Sequence, residues 1–273
     1  HNQKNEWNKF KYASGTKEHM SEEQEQIWSD KYFLVYGLFY FAQGFGFTMI
    51  LLIAVFMQNV MGVPAEDSIG YQSIIMIPWY VKLIFGLLSD NIGSKKLGRR
   101  KPYILIAGLL GIIGWFIFPT FTEFSPIVLL VGIAISLCVA LSDAMLDSLA
   151  CDVTPEDKRG KMQGVGWGCR GLGAAIAGVT LGLTIENVGW NVAFYIPGIL
   201  VVISCFISLT FKEPKLETEG KVVLFDANAY KNAFKNKDMW IVTLWMIISG
   251  SAIAVVMVFA TFLNQETGMD IEM

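Results

Sequence analysis

Four charged side chains interrupt otherwise apolar stretches of the sequence: Lys82, Asp143, Asp147 and Arg170. A charge in apolar surroundings is costly, so it is kept where it pairs with an opposite charge or contacts a ligand or an ion. Asp143 and Asp147 are four residues apart, which places both carboxylates on one face of a helix. Such a set can bind an organic ion, carry a proton on a carboxylate, or form structural ion pairs, and the sequence leaves these alternatives open.

Aromatic and polar residues share the helix faces of the two cations. Helical spacing places Trp79 beside Lys82 and Trp167 beside Arg170, while Gln43 supplies an amide from the first apolar stretch. An indole ring next to a cation can also stack on a planar ligand. These three side chains and the four charges form the predicted set of substrate or coupling-ion residues.

The elements that carry these residues are long and apolar. Of the 273 residues, 53% are hydrophobic and 16% charged, and the mean hydropathy is +0.47. A helix needs about 20 predominantly apolar residues to cross a membrane. Five stretches contain no acidic or basic residue, and two more contain only Lys82 or Arg170. They predict an all-α membrane protein with seven spans, numbered 1 to 7, at residues 32–65, 69–89, 102–122, 124–142, 162–185, 187–211 and 239–265.

Basic residues predict the orientation of these spans. The connections after spans 2, 4 and 6 hold fourteen Lys and Arg residues, and those after spans 1, 3 and 5 hold none. Because short cytoplasmic loops are enriched in Lys and Arg, the N-terminus is expected in the cytoplasm and Met273 outside. The first 30 residues are polar and show no cleavable signal peptide, so span 1 is expected to direct insertion.

The chain divides into four predicted parts. These are a polar cytoplasmic tail (1–30), a six-helix bundle (31–211), a cytoplasmic connection (212–237) and a seventh transmembrane helix (238–273). The connection is either a short surface helix or a solvated linker. Six spans followed by a long connection are typical of a two-bundle transporter. We therefore expect the sequence to be a fragment whose partner is the missing second half, although a seven-span unit that works as an oligomer is the alternative.

Polar residues separate the spans into two groups. Spans 1, 2, 4 and 5 carry the candidate residues and are expected to line a cavity, whereas spans 3 and 6 are expected at the periphery. A rise of about 1.5 Å per residue places Lys82, Asp143 and Arg170 at a similar depth, where two cations and two anions can meet.

Span 5 is also rich in glycine. Two GxxxG pairs, Gly164 with Gly168 and Gly178 with Gly182, favour close packing against another helix. A cavity wall in which the backbone approaches a ligand is the alternative use of these glycines.

Several other classes of site are not expected. The four cysteines lack CxxC spacing and the two histidines are His1 and His19, so no disulfide framework, metal site or cofactor is predicted. A net charge of -3 provides no positive field for nucleic acid. A seven-helix receptor conflicts with the predicted orientation. An intramembrane enzyme would need carboxylates that converge from two helices, so no enzyme is predicted.

The loop between spans 2 and 3 carries a recognisable motif. Residues 86–100, GLLSDNIGSKKLGRR, resemble the loop signature of the major facilitator superfamily. This resemblance implies a latch between two bundles in which the motif residues are gating residues rather than substrate ligands. The residues assigned in this way are Gly86, Asp90, Gly93, Arg99, Arg100 and, at the end of span 4, Asp152. Asp152 lies nine residues after Asp143 and is expected to face away from it.

A narrower resemblance concerns four segments. Residues 77–90, 98–115, 142–152 and 164–173 are similar to the folate-biopterin transporter family. This implies a secondary transporter of a small organic solute, folate or a pterin, working by alternating access in the lipid bilayer, with protons as candidate coupling ions. Residues 152–164 and the following GCRGLG also resemble muropeptide permeases and acetyl-CoA transporters, so that substrate class remains the alternative.

Overall fold

A computed structural model describes residues 27–91, 93–94, 97–213, 235–237, 239–241, 243–244 and 248. Most of the predicted tail (1–30), the connection (212–237) and span 7 lies outside these residues. The boundaries predicted for those parts therefore remain predictions.

The described chain is built from helices. Five segments are long and apolar enough to cross a membrane by length and composition, and they correspond to spans 1, 3, 4, 5 and 6. The helices are α1 (Lys31–Met61), α2 (Ala65–Ile75), α3 (Ile77–Tyr80), α4 (Lys82–Asn91), α5 (Lys101–Ile117), α6 (Pro126–Val153), α7 (Arg159–Asn187) and α8 (Trp190–Ser208). The predicted all-α fold is confirmed.

Span 2 is not one continuous helix, which corrects the sequence prediction. It is divided into α2, α3 and α4 by breaks at Met76 and Val81. Pro78 lies in the first turn of α3, where a helix does not use the backbone N–H that proline lacks. If α2 continued without a break, position 78 would be inside the helix and its backbone N–H would be needed. The breaks leave Trp79 and Lys82 in separate short segments of the chain.

Helix α1 forms the centre of the bundle and packs against α2, α6, α7 and α8. At one end, the rings of Phe56, Phe118 and Phe194 join α1, the turn after α5, and α8, with centroids 5.1 to 5.7 Å apart. At the other end, Tyr32 stacks on Phe211 at 4.5 Å. We call this second end, which also holds residues 93–94, 97–100 and 152–159, the loop end.

Among the described helices, the glycines that let two helices approach closely are not the predicted GxxxG pairs. A Cβ at Gly164, Gly168, Gly178 or Gly182 would meet no described residue within 4 Å. The close approach of α7 to α1 instead uses Gly166, which faces the ring of Tyr36, and Gly173, which faces the carbonyl of Phe41. Gly44 of α1 completes the contact, since a Cβ there would lie 2.5 Å from the Arg170 carbonyl oxygen. The two backbones therefore touch directly at the position of Arg170.

Candidate functional site

Three of the four predicted charges meet at one point. The Lys82 ammonium forms an ion pair with Oδ2 of Asp143, and Nη1 of Arg170 lies 3.9 Å from the other carboxylate oxygen. Asp143 is 1% exposed, so its charge is neutralised by α4 and α7 rather than by water. We call Lys82, Asp143 and Arg170 the ion triad.

Gln43 of α1 completes the surroundings of the ion triad. Its amide nitrogen donates a hydrogen bond to Oδ1 of Asp143, which fixes the orientation of the amide because the opposite one would place two oxygens together. The amide oxygen is buried and has no hydrogen-bond partner among the described residues. A buried acceptor of this kind is costly unless a donor reaches it.

Asp147 does not join the ion triad, which corrects the expectation that two anions pair with two cations. Its Oδ1 instead accepts hydrogen bonds from the hydroxyls of Tyr36, at 2.7 Å, and Tyr40. Within the described residues no Lys or Arg nitrogen lies within 4 Å of this carboxylate. The two aspartates, one helical turn apart, therefore have different partners: cations for Asp143 and phenols for Asp147.

Aromatic rings surround the guanidinium of Arg170. Its central carbon lies 4.8 Å from the ring centroid of Phe47 and 5.4 Å from those of Trp79 and Trp167. Lys82 also lies over Trp79, at 5.1 Å. Trp167 is 65% exposed, whereas the Arg170 side chain is 16% exposed. We call Phe47, Trp79 and Trp167 the aromatic cage.

Arg170 keeps unused hydrogen-bonding capacity inside the aromatic cage. Its contact with Asp143 is 3.9 Å, beyond hydrogen-bond distance, and it makes no hydrogen bond to any other described residue. A guanidinium has five donors in a planar fork that matches a carboxylate. The arrangement can therefore bind a planar, anionic organic ligand.

A second polar cluster lies at the loop end. Nε of Arg100 is 2.8 Å from Oδ2 of Asp152, and Nη1 donates to the Ser89 hydroxyl at 2.7 Å. Arg99 approaches the same Asp152 oxygen at 3.7 Å. Asp152 thus points away from Asp143 and joins the ends of α4, α5 and α6.

For the other predicted gating residues, Gly93, Gly86 and Asp90, the structure shows fewer contacts. A Cβ at Gly93 would lie 3.0 Å from the Cα of Arg99, so the loop is tight there. A Cβ at Gly86 would lie more than 4 Å from every residue that the structure describes. The backbone of Asp90 belongs to α4, but its side chain lies outside the described part of the structure.

Comparison with known proteins decides the family. Residues 37–273 match the family model described as Major Facilitator Superfamily. The chain belongs to this superfamily. Its apolar spans and this membership make it an integral, multi-pass membrane protein.

Curated relatives of this superfamily member are folate-biopterin transporters of low identity. The "Folate-biopterin transporter" of Synechocystis is 26% identical over 168 residues, which are 60% of this chain and 34% of that protein. "Probable folate-biopterin transporter 4" of Arabidopsis thaliana is 22% identical over 202 residues, 71% of this chain and 40% of that protein. The chain thus spans well under half the length of these relatives.

Solved transporters share the superfamily fold. The POT family transporter PepTSo has a TM-score of 0.59 at 16% identity, covering 70% of this chain and 40% of that one. A peptide transporter POT in complex with sulfate has a TM-score of 0.58 at 17% identity, covering 91% of this chain and 51% of that one. At these identities the likeness shows the fold.

Five residues of this superfamily member contribute to the two clusters but were absent from the predicted site residues: Tyr36, Tyr40, Phe47, Ser89 and Glu213. Tyr36 was detectable, because it lies one turn before Tyr40 on the face of α1 that also carries Gln43. Phe47 continues that face but resembles any apolar helix residue. Glu213, whose carboxylate accepts the backbone N–H groups of Arg99 and Arg100 at 2.7 and 2.9 Å, had no local signal.

Proposed function

We propose that the full-length protein is a secondary transporter that moves a small organic solute across a membrane by alternating access, and that its substrates are folates or pterins. The observation that carries this proposal is the environment of Arg170. The guanidinium is held among three aromatic rings, with its nearest carboxylate at 3.9 Å. A folate combines a planar heteroaromatic ring with carboxylates, and those two chemical groups match the aromatic cage and the cation.

The burial of Asp143 supports assigning substrate recognition to Arg170. Asp143 already accepts from Lys82 and Gln43, so it has little capacity left for a ligand donor. A substrate carboxylate that approaches Arg170 would replace a distant ion pair with a close, bidentate one. Trp167, being exposed, is the ring of the cage that a ligand can reach first.

The loop end is proposed to face the cytoplasm and to contact the second bundle. The predicted orientation rests on the Lys and Arg of this end. Arg100 and Asp152 are proposed to stabilise the loop at residues 93–100 rather than to contact substrate, because both are already engaged with each other. The names of the curated relatives support the folate or pterin class.

Thermal stabilisation of the purified full-length protein in detergent tests the substrate class. Folic acid, biopterin, a muropeptide and a sugar are added in parallel, because a ligand that binds only the folded state raises its stability. We expect stabilisation by folic acid and biopterin alone. Stabilisation by the muropeptide alone would replace the proposal with the muropeptide permease alternative.

Substitutions then assign the site. Arg170→Lys keeps the charge but removes the planar fork, and Trp167→Ala removes the exposed ring, so both are expected to abolish stabilisation by folic acid. Trp167→Phe is expected to retain most of it. Arg159→Lys, at an exposed position outside the cage, is the matched control. Unchanged stabilisation of Arg170→Lys would contradict the assignment of Arg170.

A further inference from the structure

Two carboxylates one turn apart usually compete for the same partners, but here they have separate ones. Asp143 is held by the cations of the ion triad and by the Gln43 amide. Asp147 is held by two phenol hydroxyls on a single oxygen, Oδ1. Among the described residues nothing donates to its second oxygen, Oδ2. The two groups are therefore suited to different tasks.

We propose that Asp147 is the group that binds the coupling proton, while Asp143 stays ionised within the ion triad. A proton arriving from water on one side of the membrane adds to Oδ2 of Asp147, and the same proton leaves to water on the other side. Protonation of Oδ2 leaves both tyrosine hydrogen bonds to Oδ1 in place. Asp143 cannot take this role at equal cost, because neutralising it would leave Lys82 and Arg170 facing each other.

Accessibility also separates the two aspartates. Asp143 is 1% exposed, whereas Asp147 is only partly buried. The titratable and charged groups acting on Asp147 are Tyr36 and Tyr40 from α1, Lys82 from α4, and Asp143 on its own helix. Cys151, one turn further along α6, is also close enough to interact electrostatically with the Asp147 carboxylate. Proton exchange with water is thus possible at Asp147 without opening the ion triad.

The charges of the site explain why a proton and a substrate anion would bind together. With both aspartates ionised, Lys82, Arg170, Asp143 and Asp147 sum to zero. A substrate carboxylate at Arg170 adds a negative charge, which is unfavourable at membrane depth, and a proton on Asp147 removes it. By linkage, each ligand then favours the other to the same extent.

A structural connection joins the proton site to the substrate site. Tyr36 is fully buried, and its ring contacts Gly166 of α7, one turn before Arg170. Gly44 of α1 then meets the Arg170 carbonyl directly. A change at Asp147 that moves Tyr36 is therefore transmitted to the α1 and α7 contact that positions the guanidinium.

Infrared titration of the full-length protein tests proton binding without any substrate. The difference spectrum between acidic and alkaline buffer should contain a carboxylic acid band that is present in wild type and absent in Asp147→Asn. Asparagine keeps the shape of the side chain and accepts both tyrosine hydrogen bonds, so this variant is expected to fold. Glu123→Gln, at an exposed position, is the control and retains the band. An Asp147→Asn spectrum identical to that of wild type would overturn the proposal.

Transport in proteoliposomes tests coupling, and this second step depends on the proposed function. Uptake is measured with radiolabelled folic acid. If one proton is transported with each folic acid molecule, a gradient of one pH unit supports about tenfold accumulation of folic acid at zero membrane potential. Asp147→Asn should still exchange folic acid but show no gradient-driven accumulation. Accumulation equal to wild type would overturn the coupling role. If wild type neither accumulates nor exchanges folic acid, the proposed substrate fails, and the infrared result alone decides the proton site.

Discussion

Tyr36 and Asp147 lie 111 positions apart in the sequence, and the Tyr36 hydroxyl donates a 2.7 Å hydrogen bond to the Asp147 carboxylate. The ring of Tyr36 is at the same time enclosed by α7 at Gly166. One side chain of α1 therefore connects the second carboxylate of α6 to α7. Asp147 is in this way part of the helix packing, whereas Asp143, one turn earlier, is held by cations.

The ion pair between Lys82 and Asp143 can be measured with a double-mutant cycle. Lys82→Met and Asp143→Asn should each cost up to about 3–5 kcal/mol, because the first leaves the buried Asp143 with only the more distant Arg170 and the second leaves two cations without their carboxylate. The double variant should be more stable than the sum of the single costs predicts, by about 1–3 kcal/mol. The measurement is the free energy of unfolding of each purified variant.

A surface pair provides the control for that cycle. Asp30 and Lys158 are 3.7 Å apart, and the Asp30 side chain is 82% exposed. The coupling between Asp30→Asn and Lys158→Met should be less than about 1 kcal/mol, because water screens the pair. Equal coupling in the two cycles would show that the ion triad is no stronger than a surface contact.

Gly44 should tolerate no side chain. Gly44→Ala places a methyl group 2.5 Å from the Arg170 carbonyl oxygen and 2.6 Å from the Ala174 nitrogen, and backbone atoms cannot rotate away. We expect a loss of about 1–3 kcal/mol in unfolding free energy. Gly178→Ala is the control; it meets nothing within 4 Å and should gain up to about 1 kcal/mol from higher helix propensity. Equal melting temperatures for the two variants would argue against the backbone contact.

Arg100 should not be replaceable by lysine. The guanidinium is 7% exposed and uses Nε and Nη1 for Asp152 and Ser89, a geometry that one ammonium cannot reproduce. Arg100→Lys should cost about 1.5–3 kcal/mol, the usual value for hydrogen bonds to charged groups. Arg99→Lys, at 3.7 Å from Asp152 and 34% exposed, should cost less than about 1 kcal/mol. Thermal unfolding in detergent distinguishes the two, and a larger loss for Arg99→Lys would reverse their assigned importance.

Glu213 should hold the start of α5 in place. Its carboxylate accepts from the N–H groups of Arg99 and Arg100, where the helix N-terminus favours negative charge. Gly98, with φ of +89°, leaves the space that this carboxylate needs. Glu213→Gln removes the charge and should cost about 0.5–2 kcal/mol, like the loss of a helix cap.

Hydrogen exchange locates that effect. Peptides covering residues 97–104 should lose amide protection in Glu213→Gln but not in Glu156→Gln, which changes an exposed acidic residue in the turn before α7. Unchanged protection at Arg100 in Glu213→Gln would show that the loop is held by other contacts.

Long helices and their approximate bounds were predictable, because an apolar run without charges has few alternatives in a membrane. The region of span 2 was predicted as well, but its division at Met76 and Val81 was not. Pro78 pointed to a possible break, yet proline is also tolerated in a membrane helix when neighbours satisfy the freed backbone groups. Whether the helix stays continuous or breaks depends on the side chains that pack beside Ile75 and Trp79. The hydrophobic periodicity of the sequence does not identify those neighbours.

The helix faces of the site were predictable to the same degree. Helical spacing placed Trp79 and Lys82 on one face of span 2. It placed Asp143 and Asp147 together on one face of a different helix. It did not distinguish Asp143 from Asp147, because both have the same local surroundings in the sequence. It also did not single out Gly166 and Gly173, the glycines of span 5 that contact α1, since a GxxxG pattern is equally compatible with a face that another helix covers and one that none of the described helices covers.

By itself, the sequence determined the chemistry: the apolar spans, the four charges within or directly after them, and the loop motif of the superfamily. These follow from composition and from the cost of placing charge in a membrane, which act residue by residue. Only the tertiary structure decided which charges became partners, that Glu213, five residues after the end of α8, reaches the loop, and that Tyr36 reaches Asp147. The Lys82–Asp143 pair spans 61 positions, and the Tyr36–Asp147 and Arg99–Glu213 contacts span 111 and 114, so they depend on how the helices and their connections are stacked rather than on any local pattern.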